Sequence, residues 1–347
     1  MSTNQTQQKA LFLQTKQGNL IVGDRIIPHP GQGELLIQVC AAGLNPVDYK
    51  IKEHGVFIKD YPAILGSDAS GVVEEVGQGV QDFSKGDRVF THGFYTNDKA
   101  TFQQHTLATA SFTDKIPSKL SFDEAASVPL GFDTAVTGLY GKSNGAGITP
   151  PWEGGNYDGK PIIIMGGSGS VGNYAIQLAR LSGFSKIITT ASPSHTATAY
   201  LKSLGATDVL DRHLSSDQLE DAVRKIAGSP VKVIYDTVSL PGTQRAAWNI
   251  LAPDGTLVLT LPSQVKETEG KQRKVVTTFG NPHNNENKDL AIGAWHSLEG
   301  WLENGQIKPN KIEVLGHGLE GIKGGLERMS RGQVSGVKLI AHPQESV

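Results

Sequence analysis

Residues 161–180 place a glycine-rich turn between an apolar run and an amphipathic helix pattern. Gly167, Gly169 and Gly172 have the G-x-G-x-x-G spacing. In that spacing one glycine permits a tight turn, one lets backbone N–H groups approach a pyrophosphate, and one lets helix and strand pack closely. The N-terminus of the helix adds partial positive charge. The residues predicted to bind the dinucleotide are Gly167, Ser168, Gly169, Ser170, Val171 and Gly172. A purely structural turn is the alternative.

The end of the next predicted strand, Lys186–Ala191, indicates which dinucleotide binds. Sites for a free ribose 2′-hydroxyl usually place Asp or Glu about 20 residues after the glycines. No acidic residue lies between Gly172 and Asp208. The candidate contacts of a 2′-phosphate are Ser192, Ser194, His195 and Arg212. These residue types favour NADPH over NADH, although a helix cap at the serines and a solvated charge at Arg212 would explain them as well.

Two different patterns of secondary structure, one before and one after Ser121, are predicted around these residues. Before Ser121, β-branched and alternating runs predict strands at Ala10–Leu13, Glu34–Ala41, Gly71–Val76 and Arg88–Thr91. From Ser121 onward, helices are predicted at Phe122–Leu130 and Thr134–Tyr140. Strands alternating with helices follow at Ile162–Met165, Lys186–Thr190, Val209–Leu210, Val231–Asp236 and Thr256–Leu259. Such alternation predicts an α/β fold with a doubly wound parallel sheet.

The remaining segments suggest how the chain is divided. Ser263–Asn287 is predicted as a long polar loop that covers a site, Ala291–Glu303 as a helix and Val337–Ala341 as a closing strand. A chain of 347 residues exceeds one ordinary core, so two domains are expected. We expect a β-rich domain from residues 1–130 and 291–347, and a nucleotide-binding domain from residues 131–290.

Composition limits the partners and the compartment. The formal net charge of −2 and the pI of about 6.6 argue against nucleic acid or an anionic membrane as a partner. One cysteine excludes an intrachain disulfide and suits a reducing compartment. The N-terminus is polar, and no apolar run is long enough to span a membrane. We therefore expect a cytoplasmic protein.

Motifs along nearly the whole chain resemble those of the medium-chain dehydrogenase/reductase superfamily. In order, they are Gly43–Asp48, Tyr61–Gly66 followed by Gly71–Gly77, Gly86–Val89, Ala125–Pro129 with Thr134-Ala135, the glycine turn, and Lys202–Ala206. The resemblance implies a Rossmann domain that binds NADPH and a β-rich, GroES-like catalytic domain.

The chain departs from the zinc alcohol dehydrogenases of that superfamily. Those enzymes carry a catalytic Cys where this chain has Asn45, and Gly-His-Glu where it has Gly66-Ser67-Asp68. They also carry a four-cysteine lobe where Gly93–Phe102 has no cysteine, and Cys40 lies too early to replace the missing ligand. Because catalytic zinc needs three protein ligands, we expect no metal.

The absence of zinc directs the expected chemistry toward conjugated acceptors, because no Lewis acid polarises a plain carbonyl. The motifs resemble those of quinone oxidoreductases and fungal trans-acting enoyl reductases, which implies NADPH-dependent reduction of an enone, enoyl thioester or quinone. Asn45 is the first candidate to bind the developing oxyanion, and Tyr49 or Lys50 could donate a hydrogen bond or the α-proton. Turn formation, packing and solvation are the plain alternatives for these three residues.

The resemblance alone implies further residues near the nicotinamide: Thr134, Val238, Leu259 and Leu261. It also implies a small-molecule or carrier-bound substrate, and whether a polyketide synthase partner is needed stays open. Quinone reductase relatives suggest a homodimer extended through strand Thr256–Leu259, whereas trans-acting enoyl reductases suggest a monomer. Two other functions stay open, an NADPH-dependent reductase of reactive aldehydes and a non-catalytic NADPH-binding sensor or structural protein.

Overall fold

The computed structural model describes residues 6–265 and 272–347. These residues form two compact units. The first unit contains the described part of Met1–Leu130 together with Leu298–Glu303 and Pro309–Val347. The second unit contains the described part of Gly131–Ser297 together with Asn304–Lys308. Each unit is therefore assembled from segments that are distant in the chain.

The strands of the described residues are β1 Gln7–Leu13, β2 Leu20–Ile26, β3 Glu34–Gly43, β4 Ala63–Ile64, β5 Asp68–Val76, β6 Arg88–His92, β7 His105–Thr109, β8 Thr113–Lys115, β9 Pro161–Met165, β10 Lys186–Ala191, β11 Asp208–Asp211, β12 Val233–Asp236, β13 Thr256–Leu259, β14 Lys274–Thr277, β15 Ile312–Leu315 and β16 Lys338–Ala341. The α-helices are α1 Pro46–His54, α2 Phe122–Ala126, α3 Pro129–Tyr140, α4 Ser170–Leu181, α5 His195–Leu204, α6 Ser216–Ala227, α7 Pro241–Ile250, α8 Lys288–Glu303 and α9 Gly318–Ser330.

The first unit is built on two sheets. One has the strand order β15-β16-β3-β5-β6-β8, with β7 also paired to β3, and the other has the order β2-β1-β4. All their pairings are antiparallel except that of β15 with β16. Gly43 on β3 lies opposite Asp68 on β5 and opposite Ile340 on β16. This register brings the ends of three strands, distant in sequence, side by side.

Helix α1 begins directly after β3 and packs on the apolar core of the first unit. Pro46 occupies its first turn, where a missing N–H costs nothing, and Gly55 ends it with a left-handed φ of 63°. Ile51 is fully buried in one cluster with Leu11 and Leu319. Burying a side chain of this size contributes about 1.5–3 kcal/mol. This packing holds Asn45, at the N-terminus of α1, in a fixed place.

The second unit is built on one parallel sheet with the strand order β11-β10-β9-β12-β13-β14. Numbered within the unit, that order is 3-2-1-4-5-6, the arrangement of a doubly wound dinucleotide fold. Strand β9 is buried along its whole length, which explains its continuous apolar run. Ligands of such sheets bind at the carboxyl ends of the strands where the order reverses, here beside β9.

Most predicted strands are confirmed, and three predictions are wrong. Ser263–Asn287 is not one loop, because β14 lies within it and pairs with β13; residues 266–271 of that segment lie outside the described residues. Thr256–Leu259 therefore has a neighbour on each side and is no free edge for a dimer. The helix predicted at Phe122–Leu130 is two helices, because Pro129 lacks an N–H and disfavours helical backbone at the preceding residue.

No helix in the described ranges combines the length and the apolar character that crossing a membrane would need.

Candidate functional site

The glycine turn of the second unit joins β9 to α4. Gly166 has a left-handed φ of 82°, and Gly169 is the residue that precedes the first turn of α4. A Cβ on Gly167 would lie 2.2 Å from Thr189 Oγ1, and one on Gly172 would lie 2.3 Å from the carbonyl oxygen of Gly166. These two positions therefore require glycine for close packing. The nearest atom to a Cβ on Gly169 would be the carbonyl oxygen of Gly166, 3.4 Å away, so this glycine leaves the outer side of the turn open.

The buried side-chain amide of Asn173 holds this turn by hydrogen bonds. Asn173 Nδ2 donates to the carbonyl oxygens of Gly167 at 2.8 Å and of Gly169 at 2.9 Å. The carbonyl groups of the turn are thus directed at the protein. The first N–H groups of a helix have no acceptor within the helix, and they attract anions. The turn therefore fits a pyrophosphate, with Ser168, Ser170 and Val171 half-buried around it.

Beside the turn, the ends of β10 and β11 line an open cleft of about 370 Å³. Ser192, Ser194 and His195, the residues predicted to contact a 2′-phosphate, lie in its wall. Ser194 also caps α5, since its Oγ accepts from the N–H of Ala197 at 3.4 Å. Arg212 is not part of the lining; its side chain is exposed and its N–H donates to the carbonyl of Ala191.

The cleft also contains a carboxylate that sequence spacing did not indicate. Asp211 ends β11 and lines the cleft. Its Oδ1 accepts from the backbone N–H and from Nδ1 of His213, each at 2.9 Å, and these bonds lower the pKa of Asp211. The cleft thus combines hydroxyl groups and an imidazole with one negative charge.

In the first unit, Asn45, Asp68 and Lys338 form a buried polar cluster, which we call the Lys338 cluster. Lys338 Nζ lies 2.6 Å from Asp68 Oδ2 and also donates to Asn45 Oδ1. Asn45 Nδ2 donates to the same Asp68 oxygen at 2.9 Å. Asp68 Oδ1 accepts from the N–H of Leu130 at 2.8 Å. All three side chains in the cluster are nearly inaccessible to solvent.

Two more groups adjoin the Lys338 cluster. Asp48 Oδ2 accepts from the N–H of Asn45 at 2.7 Å and so closes the first turn of α1. Burial, together with the charge of Asp68, raises the pKa of Asp48 to about 7. Burial and the nearby Asp48 also raise the pKa of the Tyr95 phenol. The region is therefore polar but poorly hydrated.

Two family models match the chain, the alcohol dehydrogenase GroES-like domain at residues 31–120 and the zinc-binding dehydrogenase model at residues 170–280. The dehydrogenase azaJ of Aspergillus niger is 32% identical to this chain, and the match covers 95% of this chain and 97% of that protein. The chain belongs to the medium-chain dehydrogenase/reductase superfamily.

Two further relatives are a protein named as an enoyl reductase and a superfamily member of solved structure. A trans-enoyl reductase of Gibberella fujikuroi is 31% identical over 89% of this chain and 91% of its own length. The solved structure of an alcohol dehydrogenase superfamily protein from Novosphingobium aromaticivorans is 26% identical, with a TM-score of 0.79 over 96% of this chain and 99% of that one. The expected fold class, a Rossmann sheet with a GroES-like domain, is confirmed, and the chain is an oxidoreductase of this superfamily, whose members generally use NAD(P).

The side chains at the expected metal positions do not fit zinc. Asn45 stands where zinc enzymes of the superfamily carry the catalytic Cys, and Asp68 where they carry the Glu of Gly-His-Glu, but the Lys338 ammonium lies against both of them. A divalent cation placed there would be repelled by that ammonium. Cys40 is half-buried on β3 and burial raises the pKa of its thiol. Among residues 6–265 and 272–347, no three His, Cys, Asp or Glu side chains are grouped to hold a metal.

Tyr49 and Lys50 lie on α1, one turn after Asn45. Both are half-buried. Burial and the nearby Glu53 raise the pKa of Tyr49, and burial lowers the pKa of Lys50. In the described part of the chain no hydrogen bond joins either side chain to Asn45. The three candidates thus share one segment, and their roles remain predictions.

The remaining predicted cofactor residues lie in the second unit. Val238 lies against the glycine turn, because a Cβ on Gly166 would meet its Cγ2 at 2.5 Å. Thr134 is buried on α3, and its carbonyl accepts from the Tyr235 hydroxyl at 2.7 Å. The side chain of Leu259 lies in the apolar core, and Leu261 is half-buried after β13. Of these four, Val238 is the residue that a close contact places beside the turn, and the roles of all four stay predictions.

Sequence reasoning missed Asn173, Asp211 and Lys338. Asn173 directly follows the last glycine of the turn, and Asp211 follows the acid-free interval that favoured NADPH. Lys338 carried the clearest signal, a lone charge in the apolar strand Val337–Ala341. A lysine is almost never fully buried unless it is paired, so a buried partner could have been expected.

Proposed function

We propose that this protein is an NADPH-dependent, zinc-independent reductase of a conjugated acceptor, of the trans-acting enoyl reductase type. The Lys338 cluster carries this proposal, because an ammonium fills the place where related enzymes hold a Lewis acid. An acceptor in this protein must then be activated by hydrogen bonds. Conjugated acceptors suit such activation, because their β-carbon accepts electrons while charge moves onto a distant oxygen. Several relatives, including those from Gibberella fujikuroi and Aspergillus flavipes, bear the name trans-enoyl reductase.

The second unit supplies the cofactor site of this proposal. The turn from Gly167 to Gly172 would hold the pyrophosphate, and Ser192, Ser194 and His195 would contact the 2′-phosphate. The hydroxyl groups at the end of β10 support NADPH, whereas Asp211 opposes it. NADPH supplies a hydride when it is bound. We place the adenosine 2′-phosphate on the Ser192 side of the cleft, away from the Asp211 carboxylate.

The first unit supplies the groups that assist the acceptor. Asn45 would donate an N–H to the oxygen on which charge develops, and a preorganised donor of this kind needs no reorganisation during reaction. Lys50 or Tyr49 would donate the proton to the α-carbon. The lowered pKa of Lys50 makes it a stronger acid than an exposed lysine and favours it over Tyr49, whose pKa is raised.

The substrate class follows from the same reasoning and from the relatives. We propose an enoyl thioester on a carrier, delivered by a polyketide synthase, as the physiological acceptor, with small enones and quinones as poorer ones. No nucleic acid is expected as a partner, since the formal net charge is −2.

The test is NADPH consumption by the purified protein with a quinone, an α,β-unsaturated ketone, an enoyl thioester and a saturated aldehyde, with NADH in parallel. Preferential turnover of the thioester with NADPH is expected. Turnover of only the saturated aldehyde would contradict the proposal and indicate an aldehyde reductase. NADPH binding without any turnover, even with a carrier-bound acceptor, would indicate a sensor or structural protein.

Single variants test the assigned roles in the same assay. Asn45→Ser keeps a residue that can cap α1 but removes the amide, and we expect kcat to fall about 100-fold. Lys50→Met should remove the limb of the pH profile that reports the proton donor, whereas Tyr49→Phe should leave that limb in place. The reverse pattern would assign the proton donor to Tyr49.

A further inference from the structure

Three neighbouring strands build the Lys338 cluster. Lys338 begins β16, Asn45 follows β3, and Asp68 begins β5. The N–H of Leu44 donates to the carbonyl of Leu339 at 2.9 Å, which continues the pairing of β16 with β3 toward Asn45. The ammonium must therefore cross β3 to reach Asp68.

Gly43 lies on β3 where the lysine stem crosses it. A Cβ on Gly43 would lie 3.0 Å from Lys338 Cε and 3.1 Å from Asp68 Cβ, and 2.6 Å from the carbonyl oxygen of Ala126. The contact with the Ala126 backbone would require glycine here, whereas the lysine stem would need to shift by only a few tenths of an ångström. Gly43 thus leaves room both for the Ala126 carbonyl and for the Lys338 stem beside Asp68.

The cluster permits only one orientation of the Asn45 amide. An ammonium has donors only, and a carboxylate has acceptors only. Asn45 turns Oδ1 to Lys338 and Nδ2 to Asp68. A flipped amide would face donor with donor and acceptor with acceptor. In the observed orientation Nδ2 donates to Asp68 Oδ2, and no acceptor of its second N–H is found within the described ranges.

We infer that Lys338 is a positioning residue that fixes the Asn45 amide so that its second N–H faces the acceptor oxygen. This inference rests on the proposed function for the role of Asn45. Replacing a buried ion pair by apolar residues often costs a fold nothing, so stability alone does not explain a buried lysine. An amide held by both charges explains why the lysine and the aspartate occur together beside Asn45.

A pair of double variants isolates the orienting hydrogen bond. Lys338→Met leaves Asp68 buried without its cation, which is expected to destabilise the protein. Lys338→Met with Asp68→Asn removes both charges, and Lys338→Gln with Asp68→Asn does the same but keeps a donor for Asn45 Oδ1. The two double variants differ only at residue 338, which is an amide in one and an apolar side chain of similar length in the other. Lys9→Met is the control, since Lys9 forms a surface ion pair with Asp24 on neighbouring strands of the same unit.

Three quantities are measured for each variant: the thermal midpoint, kcat and KM with the best acceptor, and hydrogen exchange of the Asn45 side-chain amide. That amide signal is assigned by its loss in Asn45→Ser. We expect both double variants to have similar thermal midpoints. The Met double variant should lose about 100-fold in kcat with little change in KM, and the Gln double variant should recover most of that loss. Lys9→Met should resemble the wild type.

Equal kcat in the two double variants would overturn the inference, because the ion pair would then be structural only. The amide measurement does not depend on turnover. If no acceptor is reduced, the proposed function fails, and faster exchange of the Asn45 amide in the Met variant than in the Gln variant still supports the orienting role. Equal exchange in the two would overturn it.

Discussion

Asn173 offers a direct test of how the glycine turn is built. Its amide donates to two carbonyl oxygens of the turn while its own side chain is only 4% exposed. We predict that Asn173→Ala destabilises the protein and weakens NADPH binding, because the carbonyl groups would no longer be held inward. The first N–H groups of α4 would then lose their fixed direction toward the pyrophosphate.

The two hydrogen bonds contribute unequally. Gly169 is exposed, and its carbonyl also accepts from the N–H of Asn173 at 2.9 Å, so it keeps a partner in the variant. Gly167 is buried, and Asn173 Nδ2 is the donor found for its carbonyl among the described residues. A lost net hydrogen bond costs about 1 kcal/mol, and a buried unpaired carbonyl about 1–3 kcal/mol. We therefore expect the free energy of unfolding to fall by about 2–4 kcal/mol.

Gln177 is a matched control for this variant. It is a buried amide one turn further along α4 and bonds to the backbone of Lys308 at 2.7 and 3.1 Å, away from the turn. Urea unfolding and calorimetric titration with NADPH are compared for Asn173→Ala and Gln177→Ala. Both should lose stability, but only Asn173→Ala should lose about tenfold or more in NADPH affinity, about 1.4 kcal/mol. Equal NADPH affinities would refute the assignment of Asn173 to the phosphate site.

Two further predictions concern carboxylates. Asp211→Asn should tighten binding of NADPH but not of NADH at low salt, because the Asp211 charge in the cleft repels a 2′-phosphate. Asp208→Asn, on the same strand but outside the cleft, is the control, and an equal change in affinity for both cofactors would contradict this account. Asp48 has a pKa near 7 when folded, above its ordinary 3.8, so the folded protein binds the extra proton and loses stability as pH rises between these values. Asp48→Asn should therefore gain stability over the wild type as pH increases, measured by urea unfolding, and a gain independent of pH would refute this.

Sequence patterns predicted the dinucleotide fold because its decisive features are local. An apolar strand, three spaced glycines and an amphipathic helix lie within residues 161–181, so the residues that contact one another are close together in the sequence. The alternation of strands and helices then leaves few arrangements other than a parallel sheet. Asp211 was not expected in the cleft, because its position depends on the pairing of β11 with β10, in which Asp211 lies opposite Ala191.

The errors in the second unit arose where local pattern was weak. Strand β14 has four residues, and it follows a polar segment with no strand pattern. The residues of β14 do not by themselves indicate a strand, and it is their pairing with β13 that makes them one. Since β14 pairs with β13, Thr256–Leu259 is an inner strand and offers no free edge for the dimer that the sequence suggested.

The Lys338 cluster shows why a candidate catalytic residue can be found in a sequence when its environment cannot. Asn45 was identified by comparison with zinc enzymes, at one position. Its partners, Asp68 and Lys338, reach it only through the register of β5, β3 and β16, which joins residues from opposite ends of the chain. A lysine inside an apolar strand indicates that a buried acceptor exists but not which one. Gly43 adds the missing information, since a glycine inside a strand marks close approach of another group. Together these residues bring a buried ammonium to Asn45 and Asp68 from the opposite end of the chain.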